Sequence, residues 1–237
     1  MELLGRLPEL TACKEALTGN HDRAVAVIIA GPPGIGKTSV WRAVADFAAG
    51  DSIVLRTTGI PGASPALANV ADLLDPVLDS ALREIPGPHA AALRAALGHA
   101  PPQAPVTDVI LERALVGLLR GLATTRDLTV AIDDEQWLDA DSRRLLEVAA
   151  VRLAGTPVRW LVCTRPVGED AGRSDDTHAD AIEDAGRGLP QVLAHELAPH
   201  ATRVDVAGLD DGSLSELITA RFPGPWSAGV LRQVIAL

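Results

Sequence analysis

The sequence predicts an α/β fold three layers deep, with a five-stranded, mainly parallel sheet between two layers of helices. Three observations predict it. The stretch "AVAVIIA", residues 24–30, is apolar throughout and rich in β-branched side chains, as a parallel strand covered on both faces must be. A glycine-rich turn and a helical pattern follow, and "SIVLRTT" then restores a strand, which is the order of a βαβ unit. Finally, 237 residues at 47% hydrophobic content can bury one substantial core, or one core with a small appendage.

Taken in order, the first element is a helix from Arg6 to Leu17, with Leu10, Cys13 and Leu17 on one face and Gly19-Asn20 as its stop. The strand over 24–30 ends at Gly31, and Val40, Val44 and Phe47 mark the buried side of the next helix. After the second strand, residues of about 65–122 read as a helical insertion. Leu67, Val70, Leu74 and Leu78 share a face that Pro76 interrupts. Leu111, Leu115, Leu118 and Leu122 form a stripe on a helix that Thr107 is suited to cap. "LTVAID" is the third strand, followed by a helix with Asp141 available as its cap, and "VRWLVCT" is the fourth. Residues 168–188 are acidic and weakly periodic, which fits an exposed loop holding at most a short helix. "TRVDVAGL", 202–209, alternates as a fifth strand, and Asp211 or Ser213 can cap a helix bearing Leu214, Leu217 and Ile218. The expected plan is a core over 1–209, with 210–237 the start of a C-terminal helical lid. The final "SAGVLRQVIAL" reads as a helix without a stop signal, so a longer parent protein is expected.

Composition excludes several classes. A formal net charge of −10 argues against a nonspecific grip on nucleic acid by these residues, because counterion-driven binding needs clustered Lys and Arg. No apolar run reaches membrane-spanning length and "MELLGRLPEL" lacks the regions of a signal peptide, so cytoplasmic residence is the expectation. Cys13 and Cys163 have no metal-ligand or redox spacing and read as buried small apolar residues. The histidines form neither H-x-x-x-H nor H-E-x-x-H, and no G-x-S-x-G is present, which removes zinc and serine hydrolase readings.

The chemistry is carried by "GPPGIGKT", Gly31 to Thr38. It fits G-x-x-x-x-G-K-[ST] and lies between a strand and a helix, the setting that gives the pattern meaning. With Lys14 and Lys37 the only lysines, chance would produce this match in about two of a thousand such sequences. Gly34 and Gly36 let the backbone wrap closely, so that successive N–H groups, with Pro33, Ile35 and Ser39 in the same loop, surround anionic oxygens. The helix beginning at Lys37 adds its positive end. Lys37 is then expected to bridge the β- and γ-phosphates of a nucleotide, with the Thr38 hydroxyl on Mg²⁺. Pro32 and Pro33 have no N–H to donate and stiffen the entry.

A phosphate-bound Mg²⁺ also needs a carboxylate from a neighbouring strand end, and Asp133 closes "LTVAID". Asp134 follows, placed to position or deprotonate an attacking water. Five carboxylates fall within residues 133–141, and Glu135, Asp139 and Asp141 suit capping or solvation of a helix start better than chemistry. Trp137 suits either packing or a lid contact. Arg165, after the fourth strand, suits γ-phosphate sensing, pairing with Asp133 or Asp134, or a plain surface position.

Together "ELLGRLPEL", "AGPPGIGKTSVWRAV", "LTVAIDDEQWLDADS" and "VRWLVCTRP" resemble the ATPase domain of the large LuxR-family transcriptional regulators, which belong to the AAA-like STAND group of P-loop NTPases. The likeness runs from about Leu3 to Leu217, and "DDEQWLD" is the segment that points to this branch. It implies that Gly5 and Arg6 are the N-terminal G-R motif near the adenine, that Lys37 and Thr38 are the Walker A pair and Asp133 and Asp134 the Walker B pair, and that Arg165 is the arginine after the fourth strand. Leu7 departs from the acid that commonly follows G-R, and the family's winged-helix, sensor-repeat and helix-turn-helix regions are not in this sequence. The resemblance implies an ATP/ADP and Mg²⁺ binding switch with slow hydrolysis, regulated by self-association or by other domains of a parent protein. A dedicated ATPase or phosphotransferase, and a nucleotide holder without turnover, are the alternatives that the residues leave open.

Overall fold

The computed structural model of the chain describes residues 3–19, 22–102, 105–165, 188–222, 224 and 226. Five strands, β1 (Val25–Ala30), β2 (Ile53–Thr58), β3 (Leu128–Asp133), β4 (Val158–Thr164) and β5 (Ala201–Asp205), form one sheet in the order β2-β3-β4-β1-β5, and every pairing is parallel. This is a P-loop NTPase fold of the α/β class.

Strand periodicity explains the two cores. Along β1, Ala26 and Ile28 face one cluster while Val25, Val27 and Ile29 face the other; β3 and β4 divide in the same way, with Trp160 and Val162 opposite Leu161 and Cys163. Side chains that alternate between two buried faces demand a continuous apolar run. Helices α1 (Leu7–Thr18) and α2 (Lys37–Ala48) cover one face through Cys13, Leu17, Val40, Trp41 and Val44. The other face is covered by α3 (Ala68–Leu74), α4 (Leu78–Ala81), α5 (Gly87–Ala96), α6 (Asp108–Thr125), α7 (Ala140–Arg152) and α8 (Leu189–Glu196). A ninth helix in the described residues, α9 (Asp211–Arg221), buries none of its side chains.

Several local expectations need correction. Phe47 is 44% exposed, and Trp41 is the buried aromatic of α2, its indole N–H donating to the Leu161 carbonyl at 3.3 Å. Thr107 stands at the α6 N-cap with no side-chain bond. The cap of α7 is Asp139, not Asp141, and that of α9 is Asp210, not Asp211 or Ser213; each carboxylate accepts the N–H three residues on, as an N-cap geometry requires. The fifth strand ends at Asp205, short of the expected 209, with Val206 N making its last bond to β1 at the Ala30 carbonyl. Helix α8 has no counterpart among the expected elements, since its short pattern carries Pro190 in its first turn and follows a weakly periodic stretch. The acidic loop expected over 168–188 falls almost wholly outside the described residues, as does the helix expected over 227–237.

One latch ties the helical layer to the end of β3. The Asp139 carboxylate accepts from the backbone N–H groups of Leu67, Asn69 and Ser142, and the Asn69 side chain returns the bond by accepting from Asp139 N at 3.0 Å. The Asn69 amide also donates to Thr57 Oγ1 and the Thr58 carbonyl at the end of β2. The three backbone N–H groups and the Ser142 side chain hold the Asp139 pKa below the ordinary range against the opposing pull of burial.

Candidate functional site

All five strands run the same way, so their C-terminal ends share one edge of the sheet, and β1 is where the order of connections reverses: β2 lies beyond β4 and β3, β5 on the opposite side. In such sheets the crevice at that point collects ligands. The loop after β1 lies there. Gly31 must be glycine because a Cβ would meet the Val206 carbonyl at 2.7 Å. Gly34 and Gly36 have room around them but take φ values of 77° and 102°, which only glycine adopts without strain. Gly36 is the N-cap of α2, so the loop ends on that helix's positive terminus.

A cavity of about 290 Å³ opens there, lined by Pro33, Gly34, Gly36, Lys37, Thr38, Asp134 and Arg165. Residues from the ends of β1, β3 and β4 thus converge on one space, although well over a hundred positions separate the first from the last. Lys37 is 6% exposed and its Nζ donates to the Pro32 carbonyl at 2.9 Å, which holds the ammonium inside the loop.

The two acids separate in role. Asp134 adopts a left-handed conformation, φ 48°, which turns its carboxylate into the cavity, and Gln136 Nε2 donates to its Oδ1 at 2.8 Å. Asp133 is 2% exposed and does not line the cavity; it lies behind that wall, accepting from Asp134 N at 3.0 Å. The Cys163 thiol donates to the same carboxylate. Burial first, and then that negative neighbour, push the Cys163 pKa up and keep the thiol protonated. Cys163 therefore touches the site, a role its spacing in the sequence could not reveal.

Glu135 turns away from the cavity into the protein. It is 5% exposed, and burial raises its pKa against the smaller opposing effects of Arg143, the Leu189 N–H and the Thr164 hydroxyl. Its carboxylate joins the turn after β3 to the end of β4 and to the start of α8. Trp137 lies on the same turn, with the Arg165 guanidinium over its ring at 5.5 Å from the centroid. Gln136 and Trp137 were present in "DDEQWLD" as spacing, but their partners became visible only in three dimensions.

Beside the phosphate-sized cavity lies a second of about 620 Å³, mostly apolar, whose lining includes Leu3, Leu4, Arg6, Ile35, Ser39 and Leu217. Gly5 lines neither cavity. Its φ of 67° and its contact with Ser213 and Leu209, which a Cβ would overlap, let the N-terminal segment pass under α9. Arg6 borders the apolar cavity, yet its guanidinium is engaged in the protein: Nη1 donates to Glu9 and to the Ala207 carbonyl, and Nη2 to the Ile35 carbonyl. It fastens the phosphate loop to the exit of β5 and does not present charge to a ligand. The apolar wall formed by Leu3, Leu4, Leu209 and Leu214 was missed, since scattered leucines carry no site signal in a sequence.

Whether Mg²⁺ fits can be judged from the donors. Among the described residues no cluster of three or more His, Cys, Asp or Glu could hold a metal by itself. The Thr38 hydroxyl and the Asp134 carboxylate are hard oxygen donors on the cavity, with the Asp133 carboxylate behind its wall, a set for an ion that completes its shell with water and phosphate oxygens. They fit Mg²⁺ accompanying a nucleotide. No helix among the described residues is long and apolar enough to cross a membrane.

The sequence profile of the AAA ATPase domain family matches residues 2–162, more than half of the chain, and the chain belongs to that family. It is an AAA-type nucleotide-binding domain. No curated protein matches it. Among solved structures, Cdc6p from Pyrobaculum aerophilum superposes with a TM-score of 0.56 at 14% identity, over 98% of this chain and 54% of that one. The AMPPCP-bound DnaA from Aquifex aeolicus gives a TM-score of 0.48 at 16% identity, over 97% of this chain and 55% of that one. The chain thus spans about half the length of these proteins, and at 14% identity the likeness to Cdc6p shows the fold alone.

Proposed function

We propose that this chain is an ATP- and Mg²⁺-binding switch domain with slow hydrolysis, the ATPase part of a STAND-type regulator of the LuxR family, with a core over 1–209 and a helical lid beginning at 210. The observation that carries the nucleotide reading is the convergence of Lys37, Thr38, Asp134 and Arg165 on one cavity at the end of the glycine loop. The family context rests on the "DDEQWLD" resemblance.

In this reading the backbone N–H groups of Gly34 to Ser39 and the Lys37 ammonium hold the phosphates, and the apolar cavity beneath α9 takes the base. Mg²⁺ would be held by the Thr38 hydroxyl from within the cavity, with the Asp133 carboxylate acting on it from behind the wall and not by direct contact, and it would neutralise phosphate charge. Asp134 orients a water and accepts its proton, with Gln136 fixing the carboxylate. Arg165 meets the γ-phosphate, so that ATP and ADP are told apart. Arg6 supports the loop. A switch needs retention of nucleotide more than speed, and an aspartate base reaches one methylene less far than a glutamate, which favours slow turnover. Assembly, with a second copy or with other domains of a parent protein, is the output that such a switch controls.

A single-turnover experiment with labelled ATP and Mg²⁺ tests it. Retention of nucleotide with slow conversion to ADP is expected; Lys37→Ala should bind neither nucleotide, and Asp134→Asn should retain ATP while losing conversion. Unchanged ATP affinity in Lys37→Ala would refute the site. Equal residual rates in the wild type and Asp134→Asn would remove the base and leave a nucleotide holder. Rapid turnover stimulated by a second substrate would instead favour a dedicated ATPase or phosphotransferase.

A further inference from the structure

We infer that Trp137 is a positioning residue that sets the preference for ATP over ADP by holding Arg165 against the wall of the phosphate cavity. The inference rests on the nucleotide reading above and goes beyond it, because Trp137 does not itself line the cavity.

The indole is a fixed platform. It sits on the short 3₁₀ turn Glu135–Trp137, closed by Trp137 N donating to the Asp134 carbonyl at 2.9 Å and Leu138 N to the Glu135 carbonyl at 3.0 Å. On one side the turn lies against Gly59, just past β2, where even a Cβ would overlap the Asp134 carbonyl and the Trp137 backbone. On the other, Glu135 accepts from the hydroxyl of Thr164, the residue before Arg165. The turn that carries the ring is therefore held at the ends of β2 and β4, and the arginine follows directly on β4. A guanidinium 5.5 Å from the ring centroid is attracted by the π face, while its N–H donors lie in its own plane and point outward from the stack. Arginine is long and loses rotamer freedom when a ligand orders it. Ordered beforehand on the ring, it is presented to the cavity before phosphate arrives, and that advantage falls to the ligand with the additional phosphate.

The stack should be tested by measuring affinities for ADP and for an ATP analogue with an unhydrolysable β–γ bridge. The wild type would be compared with Arg165→Ala, Trp137→Leu, Trp137→Phe and the Arg165→Ala/Trp137→Leu double variant. Leucine keeps apolar bulk without the π face, and phenylalanine keeps the face. Trp137→Leu should lower the ATP-over-ADP preference by about 3- to 30-fold, the range of a cation–π contact at a partly desolvated site, and Arg165→Ala by at least as much. ADP affinity should stay within about twofold, the double variant should lose no more than Arg165→Ala alone, and Trp137→Phe should retain most of the preference. Without nucleotide, Arg165→Ala should change the tryptophan emission of the wild type but not that of Trp137→Leu. An intact preference in Trp137→Leu, or losses that multiply in the double variant, overturns the inference alone. A wild type that binds neither nucleotide overturns the nucleotide reading and the inference with it.

Discussion

Replacing Arg6 by alanine should destabilise the protein even when no nucleotide is present. The guanidinium is 5% exposed and makes three bonds, to the Ala207 carbonyl at 2.7 Å, to Glu9 at 2.8 Å and to the Ile35 carbonyl at 2.9 Å. Its removal leaves two partly buried carbonyls and one carboxylate without a donor. Each orphaned group costs about 1–3 kcal/mol when water cannot replace the donor, and breaking a nearly buried ion pair costs about 3–5 kcal/mol as a whole. The smaller sum is the safer one, since water can enter from the adjoining cavity. At about 2–4 °C per kcal/mol for a domain of this size, the melting temperature should fall by roughly 6–20 °C. Arg6→Lys should lie between, because one ammonium cannot span three acceptors in the fixed fork of a guanidinium. Differential scanning calorimetry of nucleotide-free protein measures this. A melting temperature within about 2 °C of the wild type would refute the clasp and return Arg6 to the adenine-side role that the family resemblance implied.

Glu135→Gln should stabilise the protein at neutral pH. Burial raises the Glu135 pKa above its ordinary value of 4.5, so the stability that its protonated form contributes is complete below that value and is lost as pH rises through the raised one. The gain of the glutamine variant in thermal melts should therefore appear above pH 4.5 and vanish below it; a gain independent of pH would exclude this cause. Both thiols should resist alkylation in the native protein, with Cys13 pushed up to about 12 by burial and Cys163 also raised, and both should react after unfolding. A native thiol titrating at pH 8 would contradict their burial. Asn69→Ala removes the bonds to Thr57, the Thr58 carbonyl and Asp139 N, and should cost about 2–4 kcal/mol in urea unfolding. A loss under about 0.5 kcal/mol would show that water replaces the latch.

Much of the fold was legible because its causes are local. A strand buried on both faces must be an apolar run, so β1, β3 and β4 could be seen directly, and a loop that wraps phosphate must carry glycine where φ is positive, so Gly34 and Gly36 could be named. Caps were legible only to within a residue or two, because Asp139 and Asp141, or Asp210 and the expected Asp211, differ by backbone geometry and not by chemistry. Helix α8 was not legible. Eight residues carry too few turns for a period to stand out, and its place is fixed by Leu189 and Leu193 packing on the sheet.

By itself the sequence determined the parallel αβ order, the phosphate loop and the pair of acids at the end of β3, since each depends on residue type at short spacing. Only the tertiary structure decided which acid faces the cavity, that Arg6 clasps the loop from within, and that Cys163, Gln136 and Trp137 each hold a residue of the site. The physical reason is range. Strand and loop propensities act between near neighbours, whereas a side chain's partner is set by sheet order and register, which bring Asp133 level with Cys163 and Trp137 beside Arg165 across about thirty residues of chain.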